Sequence, residues 1–418
     1  MKRSLSKALL GLSLSCTLPL AWAQATPPAN EATVFLHRAE QERIGHYSLE
    51  RLNRITGAEL DNFMSTSTQP NTYRGQLAKA RYPVQLYRLK YHSVIPELGN
   101  RPTVASGLVA IPETGQRSMP LVSYQHGTVF DRSYVPSNPD ASIETRLVLA
   151  QFAAQGYIVI AADYFGRGQS NLPDSYLVRD STRQAGFDLF LAAREFLKTR
   201  GVDYSHFFLS GWSQGGWVTQ QYLRMLEEAE VPVTATAVAS APVDIALTMN
   251  RWINHPQAVD AAYLTGVAAI QLLAQEHYMQ QMGLAESAIR PEYLAAARGL
   301  YRNDISWEEF SKRTPAKLVD FLRPEFRKSG LTGATAYWQT LERNQAYRWT
   351  TRTPLRVYTG GTDEVTPRYV GNLPEKTQQL LGGAPVTTID AGDNADHRSV
   401  FVFGLMDQKR WFDSLLQR

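Results

Sequence analysis

Cysteine is almost missing from this chain: its 418 residues contain one, Cys16, near the N-terminus. No disulfide can close within a single copy, so stability has to come from a packed core. Lipid attachment at Cys16 is also disfavoured, because Ser13 stands where a lipoprotein signal carries an aliphatic residue. Runs of lysine and arginine are absent as well. The formal net charge of +4 includes Lys2, Arg3 and Lys7, and without them about +1 remains, so the high isoelectric point does not point to a nucleic-acid partner. No apolar stretch reaches the roughly 20 residues that a bilayer-spanning helix needs. There is no Walker lysine, no cysteine pair and no His-Glu-x-x-His, so neither a nucleotide nor a metal cofactor is implied. Repeats are lacking, and low complexity is confined to Ala25-Thr26-Pro27-Pro28-Ala29.

What is present begins with a basic start, Met1-Lys2-Arg3, followed by an uncharged stretch from Ala8 to Leu20 and then Ala21-Trp22-Ala23. This three-part layout is that of a secretory signal peptide over residues 1–23, with cleavage expected after Ala23 and export to the periplasm or beyond. The 395 residues that follow, in a chain 44% hydrophobic and 20% charged, suffice for an enzyme-sized core of ordinary globular composition.

From Val84 onward, short β-rich runs alternate with longer helical periods, the pattern of a mostly parallel sheet covered on both faces. Val84–Ser93 and Thr103–Ile111 read as an opening antiparallel pair. Leu121–Gln125, Tyr157–Ala162, Phe207–Leu209, Thr236–Ala239, Leu355–Thr359 and Val386–Ile389 complete eight strands. Helical spacing appears over Thr145–Gln155, Gln184–Arg200 and Gly215–Glu230, with Gly156 and Gly201 placed as C-terminal caps, and again near the C-terminus. Residues 24–81 form a pre-core segment of helical flavour. The core then divides into 82–246 and 351–418 around a helix-rich stretch, 247–350, which carries Trp252, Tyr263, Tyr278, Trp307, Phe310 and Trp338 and reads as an inserted helical cap.

One motif carries chemistry. Gly211-Trp212-Ser213-Gln214-Gly215 is a Gly-x-Ser-x-Gly between a buried strand and an amphipathic helix. A turn this sharp puts the serine in strained dihedrals and leaves no room for side chains at Gly211 or Gly215. The hydroxyl of Ser213 then stands at a helix N-terminus, where exposed N–H groups favour an oxyanion. A serine needs a base to take its proton and a carboxylate to orient that base. Three histidines follow Ser213. His255 and His277 fall in the helical insertion, whereas His397 follows the eighth strand and precedes the last helix, where the base is expected. Asp363, in the loop leaving the seventh strand, is the first choice of acid over Glu364, Asp244, Asp393 and Asp396. The oxyanion hole is expected from the N–H groups of Gln214 and of Thr128, with Gly127 giving room for the turn and His126 bracing the loop. Asp163-Tyr164-Phe165-Gly166-Arg167-Gly168 lacks the third glycine of a nucleotide-binding loop and reads as a structural turn closed by an Asp–Arg contact.

Together these residues resemble the α/β-hydrolase superfamily. The Tyr124-Gln125-His126-Gly127-Thr128 strand end, the exported chain and the insertion before the seventh strand are similar to the secretory lipases related to Candida lipase A. The resemblance, spanning about Val84 to the C-terminus, implies cleavage of a small-molecule or lipid ester by Ser213, Asp363 and His397. Two other readings stay open: a serine peptidase of the prolyl-oligopeptidase type, and a non-catalytic binding module on the same fold.

Overall fold

A computed structural model describes residues 39–329 and 335–417. The expected leader, residues 1–23, lies outside the described residues.

Two runs, Ile158–Ala162 (Ile-Val-Ile-Ala-Ala) and Ala235–Ala239 (Ala-Thr-Ala-Val-Ala), are buried at every position, as strands covered on both faces require. They sit inside a sheet of nine strands: β1 Glu40–Tyr47, β2 Val84–Ile95, β3 Arg101–Pro112, β4 Ser118–Gln125, β5 Ile158–Ala162, β6 Asp203–Trp212, β7 Ala235–Ala239, β8 Leu355–Thr359 and β9 Val386–Asp390. Their order is β1-β2-β3-β5-β4-β6-β7-β8-β9. The pairings β1/β2, β2/β3 and β3/β5 are antiparallel, and every later one is parallel.

Among the described residues the sheet thus has nine strands where the sequence suggests eight. The extra one, β1, lies at the edge in the segment read as helical. Its residues, Glu-Gln-Glu-Arg-Ile-Gly-His-Tyr, are mostly exposed, so backbone pairing with β2 holds it without any alternation of apolar side chains. The helical flavour of this segment comes from residues 49–64, which follow β1.

Helices cover both faces. On one side pack α2 (Arg179–Thr199) and α3 (Gln214–Glu228), whose Leu189, Phe190, Trp217 and Leu223 share a core with Tyr91, Ile160 and Leu209 of the strands. On the other, α1 (Ile143–Gln151) and α9 (His397–Leu415) join residues 49–64 around Phe152, Phe208, Phe401 and Phe412. Gly156 and Gly201 close helical segments at φ of 98° and 65°, a conformation glycine reaches without steric cost. Between β7 and β8 the chain runs through α4 (Ile245–Asn254), α5 (Leu264–Tyr278), α6 (Pro291–Arg302), α7 (Trp307–Arg313) and α8 (Thr335–Arg343), joined by shorter helical turns.

The strand order decides where a site can form. After β4 the chain places β5 on one side and β6 on the other, so the crevice beyond the carboxyl ends of β4 and β6 is a topological switch point. Gln125, last in β4, pairs with Gly211 of β6. The loops leaving these two strands therefore start side by side, one carrying His126-Gly127-Thr128 and the other Ser213.

Candidate active site

Ser213 occupies the bend between β6 and α3 at φ 57°, ψ −124°, a region that costs a residue with a side chain about 1–3 kcal/mol. The neighbours enforce it. A Cβ on Gly211 would lie 2.3 Å from the Gly215 carbonyl oxygen, and a Cβ on Gly215 would lie 1.9 Å from the Gln125 carbonyl oxygen. Ser213 N–H donates to the Ala239 carbonyl at 2.9 Å, which ties the bend to the end of β7. Because the obstacle at Gly215 is backbone, Gly215→Ala is expected to destabilise the protein by about 3 kcal/mol, the upper end for overpacking. A fall in the urea midpoint with unchanged slope would register it, and a wild-type midpoint would refute the close approach.

Asp363 lies in the loop after β8 and is 6% exposed. Its Oδ1 accepts the N–H groups of Val365 (2.9 Å) and Thr366 (2.8 Å), which fix the carboxylate, and lies 2.9 Å from His397 Nδ1. His397 opens α9 after β9 and is 4% exposed. Burial pushes its pKa down, but the charge and hydrogen bond of Asp363, with Glu364 and Asp396 nearby, outweigh this and leave it above the ordinary histidine value. The His397 N–H donates to Glu364 at 3.1 Å, and its carbonyl accepts the Trp212 indole N–H, also at 3.1 Å. The Trp212 ring lies 5.0 Å from the imidazole, so the residue preceding the serine holds the histidine's backbone and flanks its ring.

Ser213 and His397 line one cavity. Their side chains are not hydrogen-bonded to each other in this structure, which is common for such pairs before a substrate draws them together. Thr128 and Gln214 line the same cavity. Neither of their N–H groups donates to another described residue, and the Thr128 hydroxyl pairs with that of Tyr176 at 2.8 Å. His126 is buried behind the loop, stacked on Tyr164 at 4.3 Å, with Nδ1 2.7 Å from the Gly127 carbonyl and Nε2 3.3 Å from that of Asp163. Burial lowers its pKa to about 4, so at neutral pH the ring is uncharged and donates to only one of the two oxygens.

The rival carboxylates are occupied elsewhere. Asp244 caps α4 through the Leu247 N–H and accepts the Tyr347 hydroxyl. Asp396 caps α9 through Ser399 and accepts Ser67 and Thr68, while Asp393 pairs with Arg368. His255 and His277 are exposed. The turn after β5 differs from expectation: Arg167 pairs with Asp174 at 2.5 Å, not with Asp163. Asp163 instead accepts the hydroxyls of Ser106 and Ser137. Gly166 explains the exchange, since its approach to the Asp174 backbone folds the loop back and brings that carboxylate to the guanidinium.

The cavity, about 400 Å³, is bounded by both halves of the core and by the helices between β7 and β8. Its apolar wall includes Phe63, Phe130, Met249, Trp252, Val267 and Trp307. Phe130 and Trp307 stack at 4.5 Å, and a Cβ on Gly266 of α5 would lie 2.5 Å from Trp307 and 2.9 Å from Phe130. No local signal in the sequence marks which aromatics between β7 and β8 reach the cavity, because core and lining positions share the same helical spacing.

Residues 126–406 match the profile of the alpha/beta hydrolase family. The chain belongs to that family. Among solved structures, this α/β hydrolase is similar to a Legionella pneumophila protein (TM-score 0.78, 23% identity, 90% of this chain and 98% of the other). It also resembles the ligand-bound form of the rice cell wall degrading esterase LipA from Xanthomonas oryzae (0.76, 20%, 90% and 96%). Candida antarctica lipase A in its closed state follows (0.65, 14%, 93% and 83%). No curated protein matches the sequence. At these identities the likeness concerns the fold, and it bears out the resemblance read from the strand end and the elbow.

Proposed function

We propose that this α/β hydrolase is a serine hydrolase that cleaves carboxylic esters through an acyl-enzyme, with Ser213 as nucleophile, His397 as base and Asp363 as its orienting carboxylate. The observation that carries the reading is the Asp363–His397 contact of 2.9 Å beside a serine held at φ 57° in the same cavity. His397 takes the proton from Ser213 Oγ as that oxygen attacks the ester carbonyl. The carbonyl oxygen becomes an oxyanion facing the free N–H groups of Gln214 and Thr128. His397 then passes the proton to the departing alcohol, and water, activated by the same imidazole, releases the acid.

The walls favour an ester with an apolar acyl or alcohol part over a peptide. The charged lining groups are engaged with the protein: Glu364 with the His397 N–H, Asp396 with Ser67 and Ser399, and Arg398 with the Phe63 carbonyl and Thr66. None is free to anchor a peptide terminus. The N-terminal layout supports an exported enzyme.

With p-nitrophenyl esters, kcat/KM is expected to rise about fourfold per added CH₂, equivalent to about 0.8 kcal/mol, until the cavity is filled, and to fall beyond that length. Trp307→Ala should move the optimum to longer chains. Comparable cleavage of aminoacyl p-nitroanilides would overturn the ester reading in favour of a peptidase, and a chain-length profile that Trp307→Ala leaves unmoved would remove the acyl group from this cavity.

A further inference from the structure

Glu144 is a charged residue at the start of α1 that none of the expectations above includes. It is 7% exposed, and burying a carboxylate is costly unless hydrogen bonds or opposite charge compensate it. Its Oε1 accepts the Tyr124 hydroxyl at 2.6 Å and the Gly127 N–H at 2.7 Å. Oε2 has no hydrogen-bond partner among the described residues, and a Cβ on Gly127 would fall 3.3 Å from it and 3.3 Å from the Trp212 ring. The carboxylate is therefore wedged between the loop leaving β4 and the residue that precedes Ser213.

The peptide this contact holds is the one that matters for an oxyanion. Gly127 N–H is consumed by Glu144, so the next N–H, that of Thr128, is the one left to face the cavity. The loop is gripped from two sides, by Glu144 at Gly127 and by the Tyr176 hydroxyl at the Thr128 side chain. We propose that Glu144 is a positioning residue of the ester-cleaving site: it holds the Gly127–Thr128 segment so that the Thr128 N–H meets the developing oxyanion. This inference rests on the serine-hydrolase reading of Ser213 and His397.

Charge works in the same direction as geometry. Burial raises the Glu144 pKa to about 7, against the lowering pull of Tyr124, Gly127 and the positive form of His397. The groups facing Glu144 are the phenols of Tyr124 on β4 and Tyr164 after β5, with His397 on α9. On residues 49–64, which also pack on α1, the nearby charge is Glu59, neutralised by Arg51 and Arg146. The sign follows directly. Below about pH 7 Glu144 gains a proton and loses its charge; His397, raised above its ordinary value, also gains one as the pH falls. Activity needs His397 neutral and is highest with Glu144 ionised, so on the acid side one proton weakens the enzyme and the other silences it.

The test uses the full chain with a soluble p-nitrophenyl ester across about pH 5 to 9, a trifluoromethyl ketone as mimic of the tetrahedral intermediate, and a fluorophosphonate to label Ser213. In the wild type, log kcat/KM should fall on the acid limb with a slope that exceeds 1 through the Glu144 titration, an extra loss of about tenfold, and in Glu144→Gln with a slope of 1 throughout. Glu144→Gln is expected to lower kcat about tenfold with KM within about twofold, and Glu144→Ala by about 10²–10³-fold, the range for loss of one oxyanion donor. Affinity for the trifluoromethyl ketone should weaken with kcat. If neither variant folds, Tyr124→Phe decides: it removes a hydrogen bond that favours the ionised carboxylate, so the acid limb should move to higher pH. Wild-type kcat, ketone affinity and slope in both Glu144 variants, or an unmoved limb in Tyr124→Phe, would overturn the role while leaving Ser213 labelled and the hydrolase reading intact. An unlabelled, inactive wild type would overturn that reading and this inference together.

Discussion

Ser213→Ala is expected to lower ester turnover by at least about 10⁴-fold and to abolish fluorophosphonate labelling, while the melting temperature stays near that of the wild type. The rate loss follows from the absence of any substitute nucleophile: without Oγ the imidazole can only activate water, and what remains comes from the oxyanion donors and substrate binding. Stability should survive because the Ser213 side chain makes no hydrogen bond within the described residues. The strained dihedrals are imposed by Gly211, Gly215 and the Ser213 N–H bond to Ala239, and alanine keeps all three. Turnover within about tenfold of the wild type would remove Ser213 from the mechanism.

The second large effect belongs to Asp363→Asn, for which we expect a fall in kcat of about 10³–10⁴-fold with little change in KM. Three hydrogens converge on Asp363 Oδ1, from Val365, Thr366 and His397, whereas Oδ2 is buried without a partner among the described residues. An asparagine amide set at Oδ1 would oppose all three donors. Set at Oδ2, it would bury two N–H groups with nothing to accept them. Either way the negative charge that stabilises the imidazolium is gone. A second readout separates this from simple misfolding. Asp363 is what holds the His397 pKa above its ordinary value against burial. In the residual activity of the variant, the histidine limb should therefore move to lower pH. A limb that stays in place would mean that another group orients the imidazole.

Some of this was legible from the residues alone and some was not, for physical reasons. The elbow was legible because a tight bend demands glycine on both sides of the serine: a Cβ on Gly215 would strike backbone, and one on Gly211 would strike backbone and the Thr219 hydroxyl. His397 and Asp363 were legible from their order after the strands. The structure joins them and leaves His255 and His277 at the surface. β1 was not legible, since an exposed edge strand held by main-chain bonds needs no apolar alternation. Glu144 was equally silent, because a glutamate in the first turn of a helix is a common response to the helix dipole, and only the fold brings it under Gly127. The partner of Arg167 was misread for a similar reason: the loop turns at Gly166 and delivers Asp174, seven positions on, to a place that proximity in sequence assigns to Asp163.

The groups proposed for bond breaking stand on the ends of β6, β8 and β9, whereas Met249, Trp252, Tyr263, Val267 and Trp307 on the cavity wall all come from the chain between β7 and β8. That stretch is tied to the acid's loop where the Trp252 indole N–H donates to the Val365 carbonyl at 3.0 Å, whereas no side-chain hydrogen bond among the described residues joins Met249, Val267 or Trp307 to Ser213, Asp363 or His397. Selection on diet and selection on reactivity can then act on separate parts of one gene. A library randomised only at Met249, Val267 and Trp307 should yield variants that differ in which ester they prefer and share one pH profile.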